Sequence, residues 1–93
     1  HKGIFTENAR NVYELSSTQK VVKLKIAPLG EIDIYYDGLE FKITYVDGDV
    51  FINNMRPKVN TVLPNSCLLT FGAPHLRNRR FMTFSSSHPE VVL

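Results

Sequence analysis

The chain has 93 residues, enough for one domain with a core and too few for two. Hydrophobic residues make up 43% and charged residues 22%, which excludes disorder, collagen and coiled coil. No apolar run exceeds three residues, which excludes a helical membrane span and a signal-peptide core. The net charge of +2 hides an uneven layout: residues 1–30 carry five basic side chains against two acids, residues 31–49 six acids against Lys42 alone, and residues 50–80 five basic side chains and no acid.

Taken in chain order, the apolar spacing is two almost everywhere, the period of strands rather than helices. The one exception is Thr6–Arg10, where Thr6 is placed to cap a single helical turn. Two strands follow, Asn11–Leu15 and Lys20–Ile26, on either side of a turn at Ser16–Gln19. In the second, Val22, Leu24 and Ile26 face inward while Lys23 and Lys25 face water. Pro28–Gly30 ends that strand. In Glu31–Tyr36, Ile32, Ile34 and Tyr36 share one face, and Glu31, Asp33 and Tyr35 the other. Asp37-Gly38 is the residue pair that tolerates positive φ at both turn positions, which predicts a two-residue hairpin loop. That loop sets Tyr36 against Leu39, Tyr35 against Glu40 and Ile34 against Phe41, and unbroken alternation then places Leu39, Phe41, Ile43 and Tyr45 on the inner face.

A second turn is predicted at Asp47-Gly48, followed by a strand over Asp49–Ile52 and the pair Asn53-Asn54. Met55–Val59 reads as a short edge strand, because Pro57 lacks a ladder donor. Cys67–Phe71 is apolar on both faces and therefore central. Gly72–His75 is a loop, Arg79–Phe84 a strand, Ser85–Pro89 a loop and Val91–Leu93 a last short strand. The fold class is all-β: a small antiparallel β-sandwich of about seven to nine short strands, with a barrel of five or six strands as the alternative. Residues 1–93 are expected to form one domain, and the absence of an initial Met leads to the expectation of an excised domain of a larger protein or a processed product. The acidic and basic strands are expected to lie side by side, neutralising each other across a sheet, with opposite charged faces presented to partners as the alternative.

Chemistry-bearing motifs are sparse. Cys67 with His75 or His88 offers a thiol and a base, but Cys67 stands in an apolar strand pattern, where a cysteine is buried and inert. Ser85–Ser87 lack the glycines of a nucleophile elbow. His1, His75 and His88 have no ligand spacing. Asp47-Gly48-Asp49 is half of a calcium loop without the remaining acids. The glycines never cluster as a phosphate-binding loop does. The expectation is no enzyme, no cofactor and no metal. One cysteine permits no internal disulfide and no Asn-x-Ser/Thr acceptor occurs, which points to a reducing, intracellular setting, cytoplasmic or nuclear.

What remains is binding. Tyr35 is an aromatic on a water-facing side, flanked by Asp33 and Glu40, and Arg77, Arg79 and Arg80 form the densest basic segment. Tyrosine and arginine are enriched at protein interfaces. The expected function is a non-catalytic protein–protein interaction domain, adaptor or scaffold, using Tyr35, Asp33 and Glu40 or Arg77, Arg79 and Arg80. Its partner is a protein or peptide, a second copy of the chain included. The alternative is a single-stranded nucleic-acid-binding domain, in which the same arginines contact phosphate beside Phe81. A third reading is an accessory domain of a larger enzyme. No amphipathic basic helix or lipidation motif points to a membrane.

Overall fold

A computed structural model describes residues 2–8 and 11–87, and every regular element among them is a β-strand. Strands β1 (Lys2–Glu7), β2 (Asn11–Leu15), β6 (Val50–Ile52), β7 (Ser66–Phe71) and β8 (Arg80–Ser87) form a five-stranded sheet in the order β2-β1-β8-β7-β6. Strands β3 (Val21–Ile26), β4 (Gly30–Tyr36) and β5 (Phe41–Gly48) form a three-stranded sheet in sequence order. All pairings are antiparallel, and the sheets do not close into a barrel, so the arrangement is a small sandwich. Among the described residues no helix is long and apolar enough to cross a membrane.

The period-two pattern explains the core. Phe5, Leu69, Phe71, Met82 and Phe84 from one sheet meet Leu24, Ile32, Ile34, Phe41 and Ile43 from the other in a single buried cluster. Phe84 links the layers: its ring lies 4.6 Å from Phe5 and 5.2 Å, edge-on, from Phe41. Gly3 makes room for this, since a Cβ there would stand 2.6 Å from Phe41 and 2.8 Å from Phe84. Cys67–Phe71 is central, with β8 on one side and β6 on the other.

Several local expectations are corrected. Thr6 and Glu7 belong to β1, not to a helical turn. Thr6 pairs with both Val12 and Thr83, and two ladders outweigh one isolated turn, whose nucleation is unfavourable. Asn8 turns the chain at φ 51, and Ala9 and Arg10 lie outside the described residues. Ser85–Ser87 continue β8, paired with Ile4, Gly3 and Lys2. The expected strand at Val91–Leu93 lies outside the described residues.

The β4–β5 hairpin closes differently from the two-residue loop. Tyr36 pairs with Phe41 and Tyr35 with Lys42, so residues 37–40 form a four-residue loop. Asp37 is the cause: its carboxylate accepts from the amides of Leu39 at 2.9 Å and Glu40 at 2.8 Å, an Asx-type turn. Only Gly38 of the pair takes positive φ. Leu39 is consequently 78% exposed rather than core. A β-bulge then interrupts the ladder. Ile43 faces Ile34 while Tyr45 faces Asp33, leaving Thr44 as the extra residue. The alternation flips there, so Tyr45 turns out to solvent and Val46 turns in.

Asp47-Gly48 is a corner between sheets, not a hairpin turn. Gly48 (φ 75) still pairs with Gly30, and two residues later the chain pairs with β7 in the other sheet. A Cβ on Gly48 would stand 2.7 Å from the Leu29 carbonyl oxygen. The two-residue turn is instead Asn53-Asn54, both at positive φ, with reciprocal backbone bonds between Ile52 and Met55. Met55–Val59 is not a strand beyond that single bridge. Residues 60–63 instead run along the free edge of β5: the Asn60 amide donates to the Ile43 carbonyl, Ile43 to Thr61, and Leu63 to Phe41.

Candidate functional site

The outer face of the three-stranded sheet carries an ordered grid. Across the strands, one row reads Val21, Tyr35, Lys42; the next Lys23, Asp33, Tyr45; the last Lys25, Glu31, Asp47. The basic and acidic strands do lie side by side, as the charge layout implies. Tyr35 is 38% and Tyr45 46% exposed. Glu40, expected opposite Tyr35, sits in the hairpin loop, because the longer loop brings Lys42 to that position instead. Lys42 in turn reaches Asp37 at 3.3 Å.

At the far end of this face Lys25 stands beside Glu31 and Asp47, and Lys23 beside Asp33. The Glu31 carboxyl is raised above its ordinary value, chiefly through its approach to the Asp33 carboxyl. The Tyr45 hydroxyl is also raised, first by the charge of Asp47, then by burial and by Glu31 and Asp33. Carboxylate neighbours raise both groups, while Lys25 and Lys23 act on Glu31 in the opposite sense. Lys25, Glu31, Tyr45 and Asp47 line a hollow of about 200 Å³. Tyr45 was missed as a surface residue because unbroken alternation turns it inward; Glu31 was placed on the outer face but not singled out, and Asp47 was read as a turn residue. The signal was local: in Tyr45-Val46-Asp47 the aliphatic residue stands between two polar ones, which already reads as the opposite phase.

The three arginines do not form one cluster. Arg77 is exposed in the loop before β8. Arg79 Nε donates to the Gly72 carbonyl oxygen at 3.0 Å, and its guanidinium carbon lies 5.8 Å from the Phe51 ring and 5.7 Å from the Phe81 ring. Phe51, Thr70 and Phe81 are cross-strand neighbours on the outer face of the five-stranded sheet, so Arg79 bridges the two aromatics. Arg56 stacks on Phe51 at 4.9 Å and pairs with Asp49 at 2.9 Å. Arg80 takes the opposite side of β8 and grips Glu7 with two guanidinium nitrogens. Glu7 is 3% exposed; the guanidinium holds its carboxyl below the ordinary value, and Asn11 adds a hydrogen bond. Arg80 thus spends its guanidinium on the buried Glu7 carboxylate, while its side chain stays 45% exposed.

Cys67 is buried on the inner face of β7, and burial pushes its thiol up to about 11. His75 lies exposed in the loop after β7, and no hydrogen bond joins it to Cys67. His1 and His88 lie outside the described residues. Among the described residues no group of three or more His, Cys, Asp or Glu is placed to hold a metal ion.

No protein-family model matches the chain, and neither a curated protein nor a solved structure matches it significantly.

Proposed function

We propose that this is a non-catalytic protein-binding domain of a larger intracellular protein, and that it takes a basic peptide segment on the outer face of its three-stranded sheet. The observation that carries this reading is the bulge at Thr44, which delivers Tyr45 to the same face as Tyr35 and sets it among Asp33, Glu31 and Asp47. Two half-exposed tyrosines supply aromatic area and cation–π faces. Two carboxylates, Glu31 and Asp47, line a hollow that also holds Lys25, and supply partners for arginine or lysine heads. A cation bound there relieves the repulsion that raises Glu31 and Tyr45. The free, buried Cys67 accords with the intracellular setting. The nucleic-acid reading is weaker, because Arg80, one of its three arginines, is committed to Glu7.

The test is titration of the domain with a fluorescein-labelled peptide of alternating arginine and tyrosine, by anisotropy at low salt. An equally long glutamate–tyrosine peptide and a labelled oligothymidylate serve as controls. Binding restricted to the basic peptide, weakened at least tenfold by Asp47→Asn with Tyr45→Ala at an unchanged thermal midpoint, is the expected result. Preference for the acidic peptide or for the oligonucleotide, or no effect of the two substitutions, overturns the reading.

A further inference from the structure

An apolar groove of about 260 Å³ lies where edge strands of the two sheets, β5 and β6, come together. Its floor takes one residue from each sheet, the buried Ile43 and Ile52, and Met55, Pro57, Val62 and Pro64 stand around it. Met55 is 73% and Val62 46% exposed. Water is driven from such surface when an apolar segment is at hand to cover it.

The chain brings one to the rim. The Ser86 amide of β8 donates to the Asn65 carbonyl at 2.9 Å, and its hydroxyl to the Asn65 side-chain oxygen at 3.2 Å. Asn65 is the neighbour in sequence of Pro64, at the groove's edge. Six residues follow Ser87, His-Pro-Glu-Val-Val-Leu. Fully extended, a segment of that length reaches about 20 Å. It ends in Val91-Val92-Leu93, and the chain contains no longer apolar run.

We propose that residues 88–93 fold back into this groove, Val91, Val92 and Leu93 covering Met55 and Val62, and Glu90 pairing with Lys58. The charges favour this occupant. Lys58 lines the groove, is exposed, and has no ion pair among the described residues. Arg56 is spent on Asp49, and Glu90 is the one acid in the chain beyond Asp49. Tethering supplies the affinity. A segment rooted at Ser86 meets the groove at a local concentration in the millimolar range, so a contact too small to hold a separate peptide holds this one. The segment acts as a strap across the seam of the sandwich, since residues 60–63 are bonded to β5 and Asn65 to β8. This inference is independent of the basic-ligand reading, which concerns the outer face of the three-stranded sheet.

The experiment is nuclear magnetic resonance on the 93-residue chain with isotope-labelled methyl groups. Its two methionines make a reporter and a control: Met55 stands at the groove, and Met82 is 2% exposed in the core. The expected result is cross-relaxation between the Met55 methyl and the methyls of residues 91–93, equally strong at every protein concentration. Val91→Asp with Val92→Asp abolishes it and moves the Met55 signal while Met82 stays in place. Lys58→Glu, at an exposed side chain, weakens the contact, and Lys58→Glu combined with Glu90→Lys restores it. A Met55 signal indifferent to both sets of substitutions overturns the inference, and leaves the groove to another partner or to none. A contact that grows with protein concentration also overturns it, and gives the groove to the same segment of a second copy.

Discussion

Deleting Thr44 should leave the fold standing, whereas deleting Lys42 two residues earlier should not. The bulge already places Ile43 opposite Ile34, Tyr45 opposite Asp33 and Val46 opposite Ile32. Removing Thr44 closes the ladder between those pairs without moving any of them to the other face. The loss is an exposed side chain and its 3.3 Å hydrogen bond to the Asp33 carbonyl, worth about 1 kcal/mol or less. Deleting Lys42 instead turns Phe41 outward if the rest of β5 keeps its register. Phe41 is 4% exposed, stacks on Tyr36 at 4.7 Å and meets Phe84 edge-on. Loss of a core phenylalanine costs about 3–5 kcal/mol. Urea unfolding followed by circular dichroism separates the two, and so does the thermal midpoint, since 1 kcal/mol moves it about 4–8 °C in a domain of this size. A Thr44 deletion that costs as much as the Lys42 deletion would refute the bulge, and with it the outward placement of Tyr45.

Glu7 should make the fold acid-sensitive. Its carboxyl is held below the ordinary value when folded, so its contribution is complete above the unfolded value near 4.5 and disappears as pH falls through the lower folded value. Glu7→Gln should flatten the acid limb of the stability–pH curve, and an unchanged limb would show that the Arg80 contact contributes nothing. Cys67, with its thiol pushed up to about 11 by burial, should resist thiol reagents at pH 8 until the protein is unfolded in urea; rapid labelling of the native chain would contradict its burial. Gly48→Ala should cost more than Gly38→Ala. Both positions have positive φ, a penalty of about 1–2 kcal/mol for a side chain, but a Cβ on Gly48 also meets backbone at 2.7 and 2.9 Å while one on Gly38 meets nothing within 4 Å. Equal losses of stability would mean that the corner between the sheets is looser than drawn.

Alternation made much of this molecule legible in advance. Ile32, Ile34 and Tyr36 face the core and Asp33 and Tyr35 face solvent, because side-chain direction in a strand is a local property of the backbone. That basic and acidic strands would lie side by side was likewise readable from charge; that β3 and β4 are the pair, with Lys23 opposite Asp33 and Lys25 opposite Glu31, came from the structure. Turn chemistry was less reliable. Asp37-Gly38 and Asn53-Asn54 both suit a two-residue loop, and only the second forms one. At the first, the Asp37 carboxylate captures two amides that such a turn leaves free.

What the sequence determined by itself was the class of structure: an all-β antiparallel domain, its inward aliphatic residues, and a single buried cysteine. Those follow from interactions between neighbours in the chain. That its sheets form a sandwich rather than a barrel was decided by the tertiary structure. Tertiary structure alone decided where the phase of β5 breaks, which arginine meets Glu7 and which stacks on Phe51 and Phe81, and therefore what each outer face offers a partner. Register, bulges and long-range ion pairs are set by competition between sheets and loops far apart in sequence. One extra residue, Thr44, was enough to move a tyrosine from core to surface.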